Sequence, residues 1–94
     1  MNAKRYLSRV ASLGCVVCRL VGRHNSPAEI HHIREGQGMA QRASDFLVIP
    51  ICPEHHRGGT GIHGMGVKAF ERAWRLTELD LLAETIRLLE DSQP

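Results

Sequence analysis

The sequence predicts a small α+β domain, with helices surrounding a two-stranded hairpin and bound metal reinforcing a thin core. Three observations predict it. Two short apolar, β-rich segments (residues 29–33 and 46–51) are bracketed by helical patterns. Two ligand pairs with two-residue gaps, Cys15-x-x-Cys18 and Cys52-x-x-His55, stand 33 residues apart. And 94 residues is room for a single domain, 1–94, which at this size buries only about 60–65% of its unfolded surface. Domains in that position often add a metal or disulfides.

The elements follow in order along the chain. In residues 3–13, Leu7, Val10 and Ala11 share one helical face with Leu13 beside it, and basic residues lie elsewhere. Gly14 suits the end of that helix and the turn into a Cys15–Cys18 knuckle. Residues 21–28 form a polar loop around Pro27. Glu29 to Ile33 is an extended segment carrying His31 and His32. The stretch 35–44 has two glycines and no apolar period, and reads as a loop. Asp45 then precedes FLVIPI, the second strand, where Pro50 implies an edge or an end. Pro53 suits the first position of a short helix over 52–57. GGTGIHGMG, with five glycines, interrupts it. A helix with Val67, Phe70, Ala73 and Trp74 on one face follows. The last helix starts at an N-cap Thr77 and runs to about Glu90. Its apolar stripe is Leu79, Leu82, Ile86 and Leu89, widened by Leu81 and Leu88.

Composition narrows the function classes. With 43% hydrophobic and 23% charged residues, the chain is an ordinary globular protein rather than a disordered one. No apolar run approaches the roughly 18 residues that a membrane span needs. Lys4 and Arg5 have no continuous apolar stretch behind them, so no signal peptide is read and a cytoplasmic setting is expected. A net charge of +2 permits nucleic acid as a partner without demonstrating it. The unusual feature is six histidines, four of them in adjacent pairs.

Three cysteines cannot all pair within one chain, and in a reducing compartment the CxxC spacing reads as metal binding. Cys15, Cys18, Cys52 and His55 give the three thiolates and one imidazole that tetrahedral Zn²⁺ accepts, tying the N-terminal helix to the segment after the second strand. Spacing favours His55 over His56 as the fourth ligand.

A second constellation remains. His31 and His32 close the first strand, and His56 lies just after the second. If His55 faces the cysteines, His56 can point towards the hairpin. Asp45 can hydrogen-bond backbone or a ring N–H and hold the loop in shape. His63, among glycines that let the chain fold back tightly, can be a third ligand, a phosphate contact or an exposed loop residue. Adjacent strand residues face opposite sides, so His31 and His32 share one site only if the strand end is irregular.

The segments CVVC, PAEIHHIREGQGMAQRASDFLVIPICPEHHRGGTGIHG and GVKAFERAW resemble the phage recombination-enhancement, RecA-dependent nucleases of the HNH superfamily. The resemblance covers most of the chain, Cys15 to Trp74, and the helix after Thr77 also fits. It implies a compressed ββα-metal (HNH-like) fold with a structural zinc, and a metal-dependent endonuclease that hydrolyses DNA; with no basic-faced recognition helix evident in the sequence, cleavage with little sequence specificity is expected. It places the general base at His32 and puts His31 and His56 near the catalytic metal, which His63 can complete. Asp45 stands where the superfamily usually has asparagine. The catalytic ion implied is Mg²⁺, Mn²⁺ or Zn²⁺, with 5′-phosphate and 3′-hydroxyl products. Arg34, Arg42 and Arg57 flank the site and suit phosphates. The partners implied are DNA and, from the family's name, a RecA-type filament. Two other readings compete: a non-catalytic zinc module binding DNA or protein, and a structural zinc domain that dimerises through its leucine-rich last helix.

Overall fold

The computed structural model describes residues 2–22, 25–34 and 43–92. Its elements run α1 (Ala3–Ser12), α2 (Val16–Leu20), β1 (Glu29–His32), β2 (Val48–Ile51), α3 (Pro53–Arg57), α4 (Ile62–Met65), α5 (Val67–Trp74) and α6 (Glu78–Asp91). The architecture is α+β around one two-stranded antiparallel sheet.

The register pairs Glu29 with Ile51, Ile30 with Pro50, His31 with Ile49 and His32 with Val48. Paired residues share a face and neighbours alternate. One face therefore carries Glu29, His31, Ile49 and Ile51. It meets the larger core, built from the Cys15–Cys18 segment, Cys52, Ile62, Phe70 and Leu81. The other face carries Ile30, His32, Val48 and Pro50 and meets α1, where Val48 packs with Val10 and Leu89. Both faces are covered, so all four residues of β2 are buried. That is why VIPI reads as a continuous apolar run instead of an alternation.

α1 starts where expected: the Asn2 side chain accepts the Arg5 N–H at 2.8 Å. It ends before Gly14, whose φ of +80° favours glycine, and a Cβ there would also displace the Asn25 side chain, whose Oδ1 would lie 1.7 Å away. The expected Cys15 knuckle continues into a helical turn, because the Cys15 sulfur caps α2 by accepting the Cys18 N–H at 3.4 Å.

Three expectations need correction. The glycine-rich stretch is not simply an interruption: Ile62–Met65 makes the helical turn α4. A Cβ on Gly64 would lie 2.0 Å from the Gly58 carbonyl oxygen, so the turn folds onto the preceding backbone because it has none. In α5, Phe70 is buried and Val67 and Trp74 are half-buried, but Ala73 is exposed. In α6 the buried face is Glu78, Leu81, Thr85 and Leu89, while Leu79 and Ile86 are 56% and 47% exposed. Leu81 and Leu89 of the expected stripe do lie inside, so the buried face is turned by less than one residue step from the stripe that hydrophobicity picks out. Two polar residues sit on its inner face, each with a partner. Thr85 Oγ donates to the Leu81 carbonyl at 2.8 Å and Glu78 reaches His31. The start of α6 is as predicted, with a reciprocal capping box between Thr77 and Asp80. Among the described residues no helix is long and apolar enough to cross a membrane.

Candidate active site

Cys15 and Cys52 occupy the N-cap positions of α2 and α3, with Cys18 and His55 one turn further on. Sγ of Cys18 is 3.9 Å from Sγ of Cys52. Nδ1 of His55 lies 3.7, 3.6 and 3.2 Å from the sulfurs of Cys15, Cys18 and Cys52. A tetrahedral ion with Zn–S near 2.3 Å and Zn–N near 2.05 Å has edges of about 3.8 and 3.6 Å. The donor set therefore fits a metal ion such as zinc. All four residues are buried, and the cysteines are free thiols. Burial pushes the Cys15 thiol up to about 12, against the opposing backbone hydrogen bonds of Cys18 and Cys52. A cation among the sulfurs is what stabilises thiolates in such a place. The Trp74 ring stands edge-on to His55, with centroids 5.0 Å apart, and shields it.

His56 turns away from the cysteines, since successive helical residues point about 100° apart. It meets His31 from β1 and His63 from α4, with ring centroids 4.7–5.3 Å apart. One nitrogen from each lies within 4.8 Å of the others. Nδ1 of His31 is buried and has no hydrogen-bond partner among the described residues, an arrangement that a cation among the three rings would relieve. Its Nε2 is 2.6 Å from the Glu78 carboxylate. Nδ1 of His56 is 2.8 Å from Glu29, which leaves its Nε2 for the cluster. Burial, then the neighbouring His31 and His56, lower the pKa of His63 and favour its neutral form, the form that ligates metal. His31 is buried, His56 half-buried and His63 exposed, so this group opens to solvent where the cysteine group is closed. Closed sets are typical of structural sites and open ones of catalytic sites.

His32 stands on the opposite face of β1 and does not belong to the histidine cluster. The alternation of the strand is therefore regular. Nε2 of His32 is 2.9 Å from Asp45 Oδ1, with both side chains partly exposed. With Nε2–H donated to the carboxylate, Nδ1 carries the free lone pair.

Of the three arginines singled out, Arg57 grips Glu29 with Nε and Nη2 at 2.9–3.1 Å. Those bonds, and secondarily His56, hold the Glu29 carboxyl down to about 2. Arg34 is exposed just beyond β1. Arg42 lies outside the described residues, as does His24.

A model of the family described as recombination enhancement, RecA-dependent nuclease matches residues 1–90. The chain belongs to that family. No curated protein and no solved structure matches it. The family's name supplies nuclease activity, a role in recombination and a dependence on RecA.

For a recombination-enhancement nuclease, two residues of this site escaped sequence reasoning. Glu29 and Glu78 each hold the outer nitrogen of a clustered histidine. Glu29 carried a signal, since it lies two residues before His31 and strand periodicity puts both on one face. Glu78 carried none that separates it from an ordinary acidic residue in a helix's first turn.

Proposed function

We propose that this chain is a metal-dependent, HNH-type endonuclease that hydrolyses DNA phosphodiester bonds with little sequence preference, the cysteine group holding a structural zinc. The observation that carries the reading is the buried Nδ1 of His31, without a hydrogen-bond partner among the described residues, on a ring that clusters with those of His56 and His63, one residue from a histidine oriented by a carboxylate. His31, His56 and His63 would hold the catalytic ion, and when bound it supplies positive charge to the phosphoryl and leaving oxygens. An all-imidazole set suits Zn²⁺ better than Mg²⁺, which prefers oxygen ligands.

The remaining work belongs to the chain. A phosphate lying across the end of β1 meets the cluster on one side of the strand and His32 on the other. Nδ1 of His32 takes a proton from water as its oxygen attacks phosphorus. Asp45 accepts the Nε2–H bond throughout and stabilises the imidazolium as it forms. The bond from phosphorus to the 3′ oxygen breaks, and that oxygen takes up a proton from solvent. Products carry 5′-phosphate and 3′-hydroxyl ends. Exposed Arg34, with Arg42 and the free edge of the Arg57 fork, would grip neighbouring phosphates. The family's RecA dependence makes a RecA-coated strand the natural substrate to test beside naked DNA.

The test is cleavage of plasmid and of RecA-coated DNA in Mg²⁺, Mn²⁺ and Zn²⁺, by wild type and His32→Ala. Loss of a general base lowers the rate about 10²–10⁴-fold, and zinc content should not change. Cleavage by His32→Ala at the wild-type rate removes His32 from this role.

A further inference from the structure

We infer that Glu78 is a positioning residue for the histidine centre: by fixing which nitrogen of His31 carries the proton, it aims the other at the cation and makes α6 part of the site. This rests on the proposal that His31, His56 and His63 hold a metal.

An ionised carboxylate can only accept, so the 2.6 Å contact between Glu78 Oε2 and His31 Nε2 places the ring proton on Nε2. Both side chains are almost fully buried, at 7% and 4% exposure, so water cannot take over as the acceptor. The lone pair is then on Nδ1, the nitrogen Glu78 leaves open, which is buried without a hydrogen-bond partner among the described residues on a ring 5.3 and 5.1 Å from those of His56 and His63. Metal-bound histidines generally donate their outer N–H in this way, which fixes tautomer and ring orientation. His56 is held by its opposite nitrogen, Nδ1, by Glu29. The two imidazoles therefore need different tautomers, and the two carboxylates select them.

The placement of Glu78 is itself built. It is the first residue of α6 after the capping box of Thr77 and Asp80. Its backbone N–H donates to Glu71 of α5 at 2.9 Å. Leu81, Thr85 and Leu89 continue its buried face down the helix. Hydropathy selects Leu81 and Leu89 on that face but not Glu78 or Thr85, and the contact that Glu78 secures lies 47 residues away in sequence.

The experiment uses the full chain with its cysteine-bound zinc. It measures Mn²⁺ affinity by electron paramagnetic resonance and the His31 tautomer by ¹⁵N NMR before Mn²⁺ is added. Wild type should bind one exchangeable Mn²⁺ and show His31 with its proton on Nε2. Glu78→Met fills the same space without an acceptor, and should weaken Mn²⁺ binding about 10–100-fold and mix the tautomers. Glu78→Gln retains an acceptor oxygen and should recover most of both properties. Zinc content should stay at the wild-type level in both variants. Equal affinity and an unchanged tautomer in Glu78→Met overturn the inference, as does a Gln variant no better than Met. A wild-type His31 protonated on Nδ1 overturns it without any variant. Wild type that takes up no Mn²⁺ while keeping the Nε2–H tautomer instead defeats the proposed catalytic centre.

Discussion

Replacing Cys52 by alanine should cost this domain a large part of its stability. The four cysteine-group ligands come from α2, the end of β2 and α3, and exposures of 0–6% leave none of them a solvated alternative. Structural zinc in small domains contributes about 10–16 kcal/mol of apparent binding energy at neutral pH. Shared evenly over four ligands, that is roughly 3–4 kcal/mol for one. A chain of 94 residues has a total stability of about 5–14 kcal/mol at the usual value per residue. One ligand is therefore about a fifth or more of what holds the fold. At about 4–8 °C per kcal/mol for a domain of this size, the melting temperature should fall by roughly 12–30 °C. Thermal unfolding followed by far-ultraviolet circular dichroism, with zinc measured by atomic absorption, tests this. A variant that has lost its zinc yet melts within about 3 °C of wild type, less than 1 kcal/mol on that scale, would show that packing alone sustains the fold and that the cysteine centre is not structural.

Other substitutions probe the histidine side. Gly64→Ala puts a Cβ 2.0 Å from the Gly58 carbonyl oxygen; overpacking of this kind costs about 1–3 kcal/mol and should push His63 out of the cluster. Melting and Mn²⁺ titration should both register it, and an unchanged affinity would mean that His63 is no ligand. Glu29 titrates at about 2, held down by Arg57 and then His56. A depressed carboxyl stabilises the fold above its unfolded value, near 4.5, and loses that contribution as pH falls towards 2. The stability difference between wild type and Glu29→Gln should therefore be flat from pH 7 to about 5 and shrink below that. A gap already closing between pH 7 and 5 would contradict the assignment.

The closed centre was the most legible part of the chain in sequence, because two ligand pairs at fixed spacing are set by local turn geometry: the first cysteine of each pair stands at the N-cap position of the helix that carries its partner. The strands were legible for a similar reason, although full burial of β2 hid its alternation. His31 and His56 could be singled out but not aimed. Their directions depend on the β1–β2 register and on the rotation of α3, which are tertiary facts. The inner face of α6 was read only in its leucines, Leu81 and Leu89, because Glu78 and Thr85 are satisfied by partners that a hydrophobicity pattern cannot anticipate. The helical turn at 62–65 was hidden by glycines that suggest irregular chain and here permit close backbone contact.

The central claim is that imidazoles from β1, α3 and α4 surround a second, solvent-reachable ion. Anomalous diffraction from crystals soaked in Mn²⁺, recorded at the zinc and manganese edges, tests this most directly. A zinc peak is expected among Cys15, Cys18, Cys52 and His55, and a manganese peak within bonding distance of His31 Nδ1, His56 Nε2 and His63. A zinc peak alone, with the three histidines empty at saturating Mn²⁺, would contradict the claim.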